Sequence, residues 1–183
     1  MKIVAKKFNK NDKQQDLISI YLDSFPGCER VDYFDLFEGV FNDFEMYGFY
    51  DGDTLVGLAH LCKKSNFTHC NYLAVSKNVR SKGYGSEILS WIKSFNNNSP
   101  IIVDVEFPDD SAENGENRKR RIKFYEKNGF RPGKYHFHWE GTHMLYLICG
   151  EDFSPEQIMS HLQHIFPTIK DVKALTKKEL QKF

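Results

Sequence analysis

Hydrophobic side chains recur along this chain with periods that predict both helices and strands. Between residues 84 and 95 they recur at intervals of three and four, which is the period of a helix with one buried face: Tyr84, Ile88, Leu89, Ile92 and Phe95. The same spacing predicts helices over residues 17–25 and 118–128, and another from Ser154 onward. Helices are therefore expected along the whole length of the chain.

Segments with a period of two predict strands between these helices. Residues 46–50 and 54–61 alternate across Asp51-Gly52-Asp53, which is typical of a hairpin turn. Residues 70–75 and 101–107 read as apolar strands on either side of the helix at 84–95, so this segment predicts a parallel crossover. The remaining strands are predicted at residues 2–8, 135–139 and 144–148.

The same pattern also indicates how the chain is organised outside these helices and strands. Residues 31–44 keep a near-helical spacing of aromatic side chains despite Gly39, and predict a broken helix. We expect residues 1–150 to form one domain and residues 151–183 to form a helical extension packed on it. A charged tail from Lys170 is predicted to be an appendage.

Composition and charge limit the classes of function that this chain is expected to have. Lys plus Arg and Asp plus Glu balance at 25 each, so no overall field favours nucleic acid or an anionic membrane. The N-terminus lacks the apolar run of a signal peptide and no segment is apolar enough to span a membrane, so we expect a cytoplasmic protein. The four cysteines have no Cys-x-x-Cys spacing, which predicts reduced thiols and no metal requirement: Cys28, Cys62, Cys70 and Cys149.

A short basic turn that contains two glycines joins the strand at 70–75 to the helix at 84–95. Its sequence is Arg80-Ser81-Lys82-Gly83-Tyr84-Gly85-Ser86. Glycines let the main chain approach a ligand, and the first amides of the following helix are unpaired at the positive end of its dipole. The turn is therefore a candidate phosphate cradle, with an ordinary strand-to-helix turn as the alternative.

Two ordered motifs give the chain a family resemblance. Val75-x4-Arg80-x2-Gly83-x-Gly85 is followed some forty residues later by Phe124-Tyr125-Glu126-Lys127-Asn128-Gly129-Phe130. In this order, over residues 1 to about 150, the chain resembles the GCN5-related N-acetyltransferase (GNAT) family. The resemblance implies an α+β, three-layer fold with a mixed, mostly antiparallel twisted sheet, a central parallel splayed strand pair, and flanking helices.

The same resemblance implies an acetyl-CoA-dependent N-acetyltransferase. Acetyl-CoA is then the cosubstrate, and the acceptor is the primary amine of a small molecule or peptide that attacks directly in a ternary complex. The pyrophosphate would lie on the turn, and the main chain of Ala74 and Val75 would pair with pantetheine. The turn residues carried over are Arg80, Ser81, Lys82, Gly83, Tyr84, Gly85 and Ser86.

Acetyl transfer also requires an acid and a base. Tyr125 matches the family tyrosine near the sulfur and is the candidate general acid, with core packing as the alternative. Glu106, at the end of the strand at 101–107, is the candidate general base. The alternatives for that role are Asp104, Asp109 and Asp110.

One departure from the family pattern leaves other hypotheses open. Arg118 and Arg121 stand where many members carry asparagine and alanine, and the basic run at 118–123 is expected to be a solvated helix face. A catalytically idle acyl-CoA-binding or regulatory module is the second hypothesis. Nucleic-acid binding is a third, which the zero net charge disfavours. His136 and His138 share one strand face, a weak indication of a metal or polar substrate, and a homodimer is one candidate assembly.

Overall fold

The computed structural model of this 183-residue chain describes residues 2–12, 15–64, 66–97, 99–139, 141–165, 172–176 and 179, without the side chains of Cys28 and Pro155. The chain divides into two compact units, Met1–Ser99 and Pro100–Phe183. Strands and helices occur in both units. Among the described residues, no helix combines the length and apolarity that crossing a bilayer requires.

The first unit contains four antiparallel strands that neighbour one another in chain order. The strands are β1 (Val4–Phe8), β2 (Phe44–Asp51), β3 (Thr54–Lys63) and β4 (Thr68–Val75). Its helices are α1 (Gln15–Ser24) and α2 (Tyr84–Phe95). Short 3-10 turns cover Gly27–Glu29, Phe34–Phe37, Gly39–Phe41 and Lys77–Val79.

Alternation along β2 places the two helices on opposite faces of this sheet. The rings of Tyr47 and Phe49 contact Trp91 of α2, with centroids 5.1 and 5.2 Å apart. Gly48 faces the other side, where a Cβ would lie 3.2 Å from Leu17 of α1. The buried stripe predicted for residues 84–95 is confirmed, and burial of a side chain such as Ile88 contributes about 1.5–3 kcal/mol.

A glycine in β3 lets α2 lie close to the strands. A Cβ at Gly57 would meet the carbonyl oxygen of Ala74 at 2.5 Å and Ile88 Cδ1 at 2.8 Å. Any side chain there would push α2 or β4 away. Gly57 therefore holds the end of β4 and the body of α2 in close register, and it positions the turn between them.

The predicted hairpin is confirmed, whereas the broken helix over residues 31–44 is wrong in type. The hairpin joins β2 to β3 through Gly52, whose φ is +58°. Residues 34–41 instead form two 3-10 turns, separated where Glu38 is extended (φ −149°, ψ 176°) and Gly39 takes φ +62°. Leu36 and Phe41 are buried in these turns, whereas Phe34 and Val40 are exposed, so only part of the predicted apolar face is buried.

The described residues of the second unit form four strands and two helices. The strands are β5 (Ile101–Glu106), β6 (Arg131–Trp139), β7 (Thr142–Cys149) and β8 (Val172–Ala174). The strand β7 pairs antiparallel with both β5 and β6, and β6 pairs antiparallel with β8. The helices are α3 (Gly115–Lys127), which begins earlier than predicted, and α4 (Pro155–Ile165).

The strand β8 corrects the expectation that the tail from Lys170 is an appendage. Its residues pair with β6 in the register Tyr135↔Ala174, His136↔Lys173 and Phe137↔Val172. Charged residues fit there because an edge strand exposes one of its sides to water. The rest of the predicted tail lies outside the described residues except for residues 175, 176 and 179.

Candidate functional site

The first candidate site is the turn between β4 and α2, which we call the glycine turn (residues 80–86). Ser81 and Gly83 both have a left-handed main chain, with φ of +64° and +92°. Gly83 immediately precedes α2, whose first residue is Tyr84. Non-glycine residues rarely adopt positive φ, so the conformation of Ser81 is a feature that the sequence pattern did not reveal.

The glycine turn presents unpaired main-chain amides. Within the described residues, the amides of Gly83, Tyr84 and Gly85 donate to no protein acceptor, and no side chain caps the helix. The next amides, of Ser86 and Glu87, both donate to the carbonyl of Gly83. Unpaired donors at the positive end of a helix, here one of 12 residues, are groups to which proteins commonly bind anions.

The side chains of Arg80 and Tyr84 support the glycine turn through hydrogen bonds. Arg80 Nε donates to the carbonyl of Val75 at 3.2 Å, and its guanidinium lies 3.4 Å from Ser24 Oγ. The Tyr84 hydroxyl donates to Asp51 Oδ2 at 2.6 Å. Lys82 is exposed. Arg80 and Tyr84 thus support the turn, and the groups available to an anion are mainly main-chain amides.

The end of β4 is paired with β3 along one edge. Ala74 lies opposite Leu58 and Val75 lies opposite Gly57. The amide of Ser76 continues the pairing by donating to the carbonyl of Val56 at 2.9 Å. The predicted pairing of Ala74 and Val75 with pantetheine stays a prediction.

The second candidate site lies in the second unit, and we call it the arginine network (Glu106, Asn114, Arg118 and Arg121). Glu106 is only 5% exposed. Its Oε1 accepts from Arg118 at 2.7 Å and from Asn114 at 3.1 Å. Its Oε2 accepts from Asn114 at 3.2 Å and from Arg121 at 3.3 Å.

These contacts change the expected role of Glu106. A carboxylate offers about four lone-pair positions, and the four contacts occupy them. Arg118 is itself held, because it donates to Asn114 Oδ1 at 2.7 Å and to the carbonyl of Phe107 at 3.2 Å. The geometry therefore disfavours Glu106 as a base and favours a role in anchoring α3 to β5.

The expectation of a fully solvated basic face on α3 is wrong for two of its members. Arg118 and Arg121 turn toward Glu106, whereas Arg120 and Lys123 are exposed. The helix period explains the split, since residues 118 and 121 lie one turn apart on the face that packs inward. The two arginines that depart from the family pattern therefore form ion pairs with Glu106 within the second unit.

Tyr125 lies on the buried side of α3. It is 7% exposed, and its ring contacts Phe124 at 5.1 Å and Phe130 at 5.3 Å between centroids. Its carbonyl accepts from the amide of Phe130, which closes the end of the helix. Core packing therefore accounts for its position, and the general-acid role stays a prediction.

His60, one of the buried histidines of the first unit, has a structural environment. The carbonyl of Leu36 accepts from His60 Nε2 at 3.0 Å, so Nδ1 is the acceptor for Asn71 Nδ2 at 3.3 Å. Burial lowers the pKa of His60 to about 3. This neutral ring is held between two partners, as expected of a structural histidine.

Comparison with protein families shows which family this chain belongs to. A family model for the acetyltransferase (GNAT) domain matches residues 42–132. The chain belongs to the GNAT acetyltransferase family. The match includes the glycine turn and the arginine network, and it confirms the family that the two sequence motifs predicted.

Solved GNAT structures share the fold. A GNAT-family protein from Bacteroides thetaiotaomicron is 23% identical, with a TM-score of 0.71 over 88% of this chain and 97% of its own. An acetyltransferase from Bacillus subtilis in complex with CoA is 17% identical, with a TM-score of 0.57 over 82% and 99%. A GNAT acetyltransferase from Elizabethkingia anophelis with acetyl-CoA bound is 15% identical, with a TM-score of 0.57 over 81% and 98%.

These similarities confirm the predicted fold class, a mixed and mostly antiparallel sheet flanked by helices. At such identities they establish the fold of this GNAT protein and leave its substrate open. No curated protein sequence matches the chain.

Proposed function

We propose that this GNAT protein transfers the acetyl group of acetyl-CoA to the primary amine of a small molecule or peptide, by direct attack in a ternary complex. The observation that carries the proposal is the set of three consecutive amides at the start of α2, which lack protein acceptors among the described residues. The solved structures from Bacillus subtilis and Elizabethkingia anophelis hold CoA and acetyl-CoA.

In this proposal the glycine turn binds the pyrophosphate of acetyl-CoA. The amides of Gly83, Tyr84 and Gly85 supply the hydrogen bonds, and the left-handed φ of Gly83 turns them toward one side. Lys82 adds a point charge from an exposed position, whereas Arg80 acts by bracing the turn against Val75. Ala74 and Val75 would pair through their main chain with the pantetheine arm.

The reaction transfers an acyl group between two nucleophiles. The neutral amine nitrogen attacks the thioester carbonyl carbon, and the carbonyl oxygen takes the negative charge of the tetrahedral intermediate. The carbon–sulfur bond then breaks, the new amide forms, and the CoA thiolate takes up a proton. The donor to the oxyanion in this proposal is a main-chain amide near Val75.

Tyr125 is the proposed proton donor to the thiolate. Its phenol offers one O–H group and is held by the packing of Phe124 and Phe130, so its orientation is set before substrate arrives. Glu106 is a less suitable base, because Arg118, Arg121 and Asn114 already occupy its lone pairs. We therefore assign deprotonation of the amine to a water molecule or to another carboxylate, with Asp104, Asp109 and Asp110 as candidates.

Binding is tested by calorimetry of the full-length protein with acetyl-CoA. We expect saturable binding to the wild type and none to Gly83→Trp, because a bulky side chain at this positive φ covers the amides. Gly141→Trp is the matched control: it also has positive φ (+77°), and nothing lies within 4 Å of its Cβ position. Absence of wild-type binding at millimolar acetyl-CoA would refute the proposal.

Turnover is tested with a panel of primary amines and small peptides. For the first amine that is acetylated, we expect Tyr125→Phe to lower kcat by about 100-fold or more while leaving the KM for acetyl-CoA unchanged. Tyr135→Phe, which removes a hydroxyl from β6, should behave as the wild type. Full turnover by Tyr125→Phe would show that this tyrosine is only a packing residue.

A second candidate function is an acyl-CoA-binding module without acceptor chemistry. The occupied lone pairs of Glu106 favour it, since the predicted base is committed to the arginine network. Acetyl-CoA binding with no acetylation of any amine in the panel would support this module. Acetylation of a single amine would exclude it.

A further inference from the structure

A second cluster of chemically active side chains lies in the second unit and includes none of the residues assigned to acetyl transfer. His136 on β6 and His143 on β7 approach closely, with His136 Nδ1 2.5 Å from His143 Nε2. Glu179, which follows β8 in the chain, joins them. One ligand atom from each of these three residues lies within 4.8 Å of the others, and we call the group the histidine cluster.

The surrounding rings orient the two imidazoles. His143 stacks on Phe107 with centroids 4.1 Å apart and an interplanar angle of 4°. It also stacks on His138, its partner across the strands, at 4.6 Å and 10°. His136 is only 8% exposed. Both imidazoles are therefore held in fixed planes with ring nitrogens that face one another.

The carboxylate of Glu179 is also held in place. Thr176 donates to Glu179 Oε2 from its amide at 2.8 Å and from its hydroxyl at 2.7 Å. In return the Glu179 amide donates to Thr176 Oγ1 at 3.2 Å, which completes a capping box. Such supporting hydrogen bonds are the kind that orient metal ligands in proteins.

We propose that His136, His143 and Glu179 bind a divalent transition-metal ion of the zinc class, and that the ion fastens the C-terminal segment to β6 and β7. Two imidazole nitrogens and one carboxylate oxygen are ligands that Zn²⁺ accepts. Three protein ligands leave a fourth tetrahedral position for water. The proposal is independent of acetyl transfer.

The distances are compatible with entry of an ion after a small movement. Two nitrogens on a tetrahedral Zn²⁺ lie about 3.3 Å apart, given zinc–nitrogen distances of about 2.0–2.1 Å. The His136 and His143 nitrogens must therefore separate from 2.5 Å by about 0.8 Å. Rotation of the partly exposed His143 ring between its stacking neighbours can provide this movement.

The fastening role follows from how little else holds the segment within the described residues. The strand β8 has three residues, and the main chain adds a bond from the Leu175 amide to the carbonyl of Lys134. Lys173 is exposed opposite His136 and adds a positive charge rather than a ligand. A metal bond from Glu179 to two sheet histidines would cross-link this short pairing.

The test uses the full-length protein without a histidine tag, stripped with a chelator and titrated with Zn²⁺ by calorimetry. We expect one ion per chain, and Co²⁺ should give the visible absorption of a tetrahedral site. His143→Gln and Glu179→Gln should each weaken Zn²⁺ binding by at least about tenfold, the loss typical of even an indirect metal partner. His164→Gln, an exposed histidine on α4, is the matched control and should bind normally.

A second readout addresses the fastening role. The sequence has lysines at positions 170, 173, 177 and 178, and Zn²⁺ should slow trypsin cleavage there in the wild type but not in Glu179→Gln. Absence of Zn²⁺ binding by the wild type at millimolar metal would overturn the proposal. Binding that survives both His143→Gln and Glu179→Gln would overturn it as well, and so would cleavage that Zn²⁺ does not slow.

Discussion

The glycine turn and the arginine network both hold groups that can bind a charge, but they differ in whether those groups belong to the main chain or to side chains. The glycine turn offers main-chain amides, and two left-handed residues direct them. The arginine network uses side chains that surround a carboxylate which is 5% exposed. In the glycine turn the groups available to a ligand belong mainly to the main chain. In the arginine network the interacting groups all belong to side chains.

This difference predicts opposite responses to substitution. A main-chain site tolerates side-chain truncation but not a residue that disfavours positive φ. A buried ion network is destabilised when its carboxylate or a well-buried partner is removed, because the charge that remains is left uncompensated. Unfolding free energies of matched variants therefore distinguish the two kinds of site.

Glu106→Gln should have the largest effect on stability. It leaves Arg118 and Arg121 without their carboxylate, and we expect a loss of about 3 kcal/mol in the free energy of unfolding. Urea denaturation followed by circular dichroism measures it. Glu116→Gln removes an exposed partner of Lys119 from the same helix and should cost less than about 1 kcal/mol. Equal effects of the two substitutions would mean that burial of the network contributes little.

The two arginines should differ from one another. Arg118→Gln should cost about 2 kcal/mol, because it removes a charged hydrogen bond from a side chain that is 16% exposed. Arg121 is 35% exposed and its contact is longer, so Arg121→Gln should cost less than about 1 kcal/mol. The same urea experiment ranks them. The reverse order would show that the longer contact anchors Glu106.

Substitutions in the glycine turn are expected to cost less than Glu106→Gln. Gly83→Ala should cost about 1–2 kcal/mol, the penalty for a Cβ in a left-handed conformation. Ser81→Ala should change stability by less than about 0.5 kcal/mol, since its side chain is exposed and Ala meets the same main-chain constraint. Gly27→Ala is the control, because nothing lies within 4 Å of its Cβ position and its φ is not positive. A loss for Gly27→Ala as large as for Gly83→Ala would exclude positive φ as the cause.

Several elements were predictable because their cause is local. The stripe from Tyr84 to Ile92, the hairpin at Gly52 and the cap at Ser154 follow from neighbours a few residues apart, and the structure contains all three. The family was predictable as well, because its two motifs are each contiguous in sequence. The left-handed φ of Ser81 was not predicted, because a serine at that position does not require this conformation.

The functional side chains were less predictable than the fold. The role of a carboxylate such as Glu106 depends on what approaches it, and its partners lie 8 to 15 residues away on another element. Sequence spacing placed Arg118 and Arg121 on one helix but could not tell whether that face meets water or β5. The same limit applies to Glu179, whose distance from His136 and His143 depends on the register of β8.

Periodicity, capping and contiguous motifs act over a few residues, so the amino-acid sequence was enough to predict most element types, the glycine turn and the GNAT family. Only the tertiary structure decided that Glu106 is enclosed by arginines, that residues 172–174 join β6, and that two histidines meet Glu179. The physical reason is that strand register and helix packing set distances between residues far apart in the chain. Charge neutralisation and ligand geometry change sharply over a few ångströms of that distance.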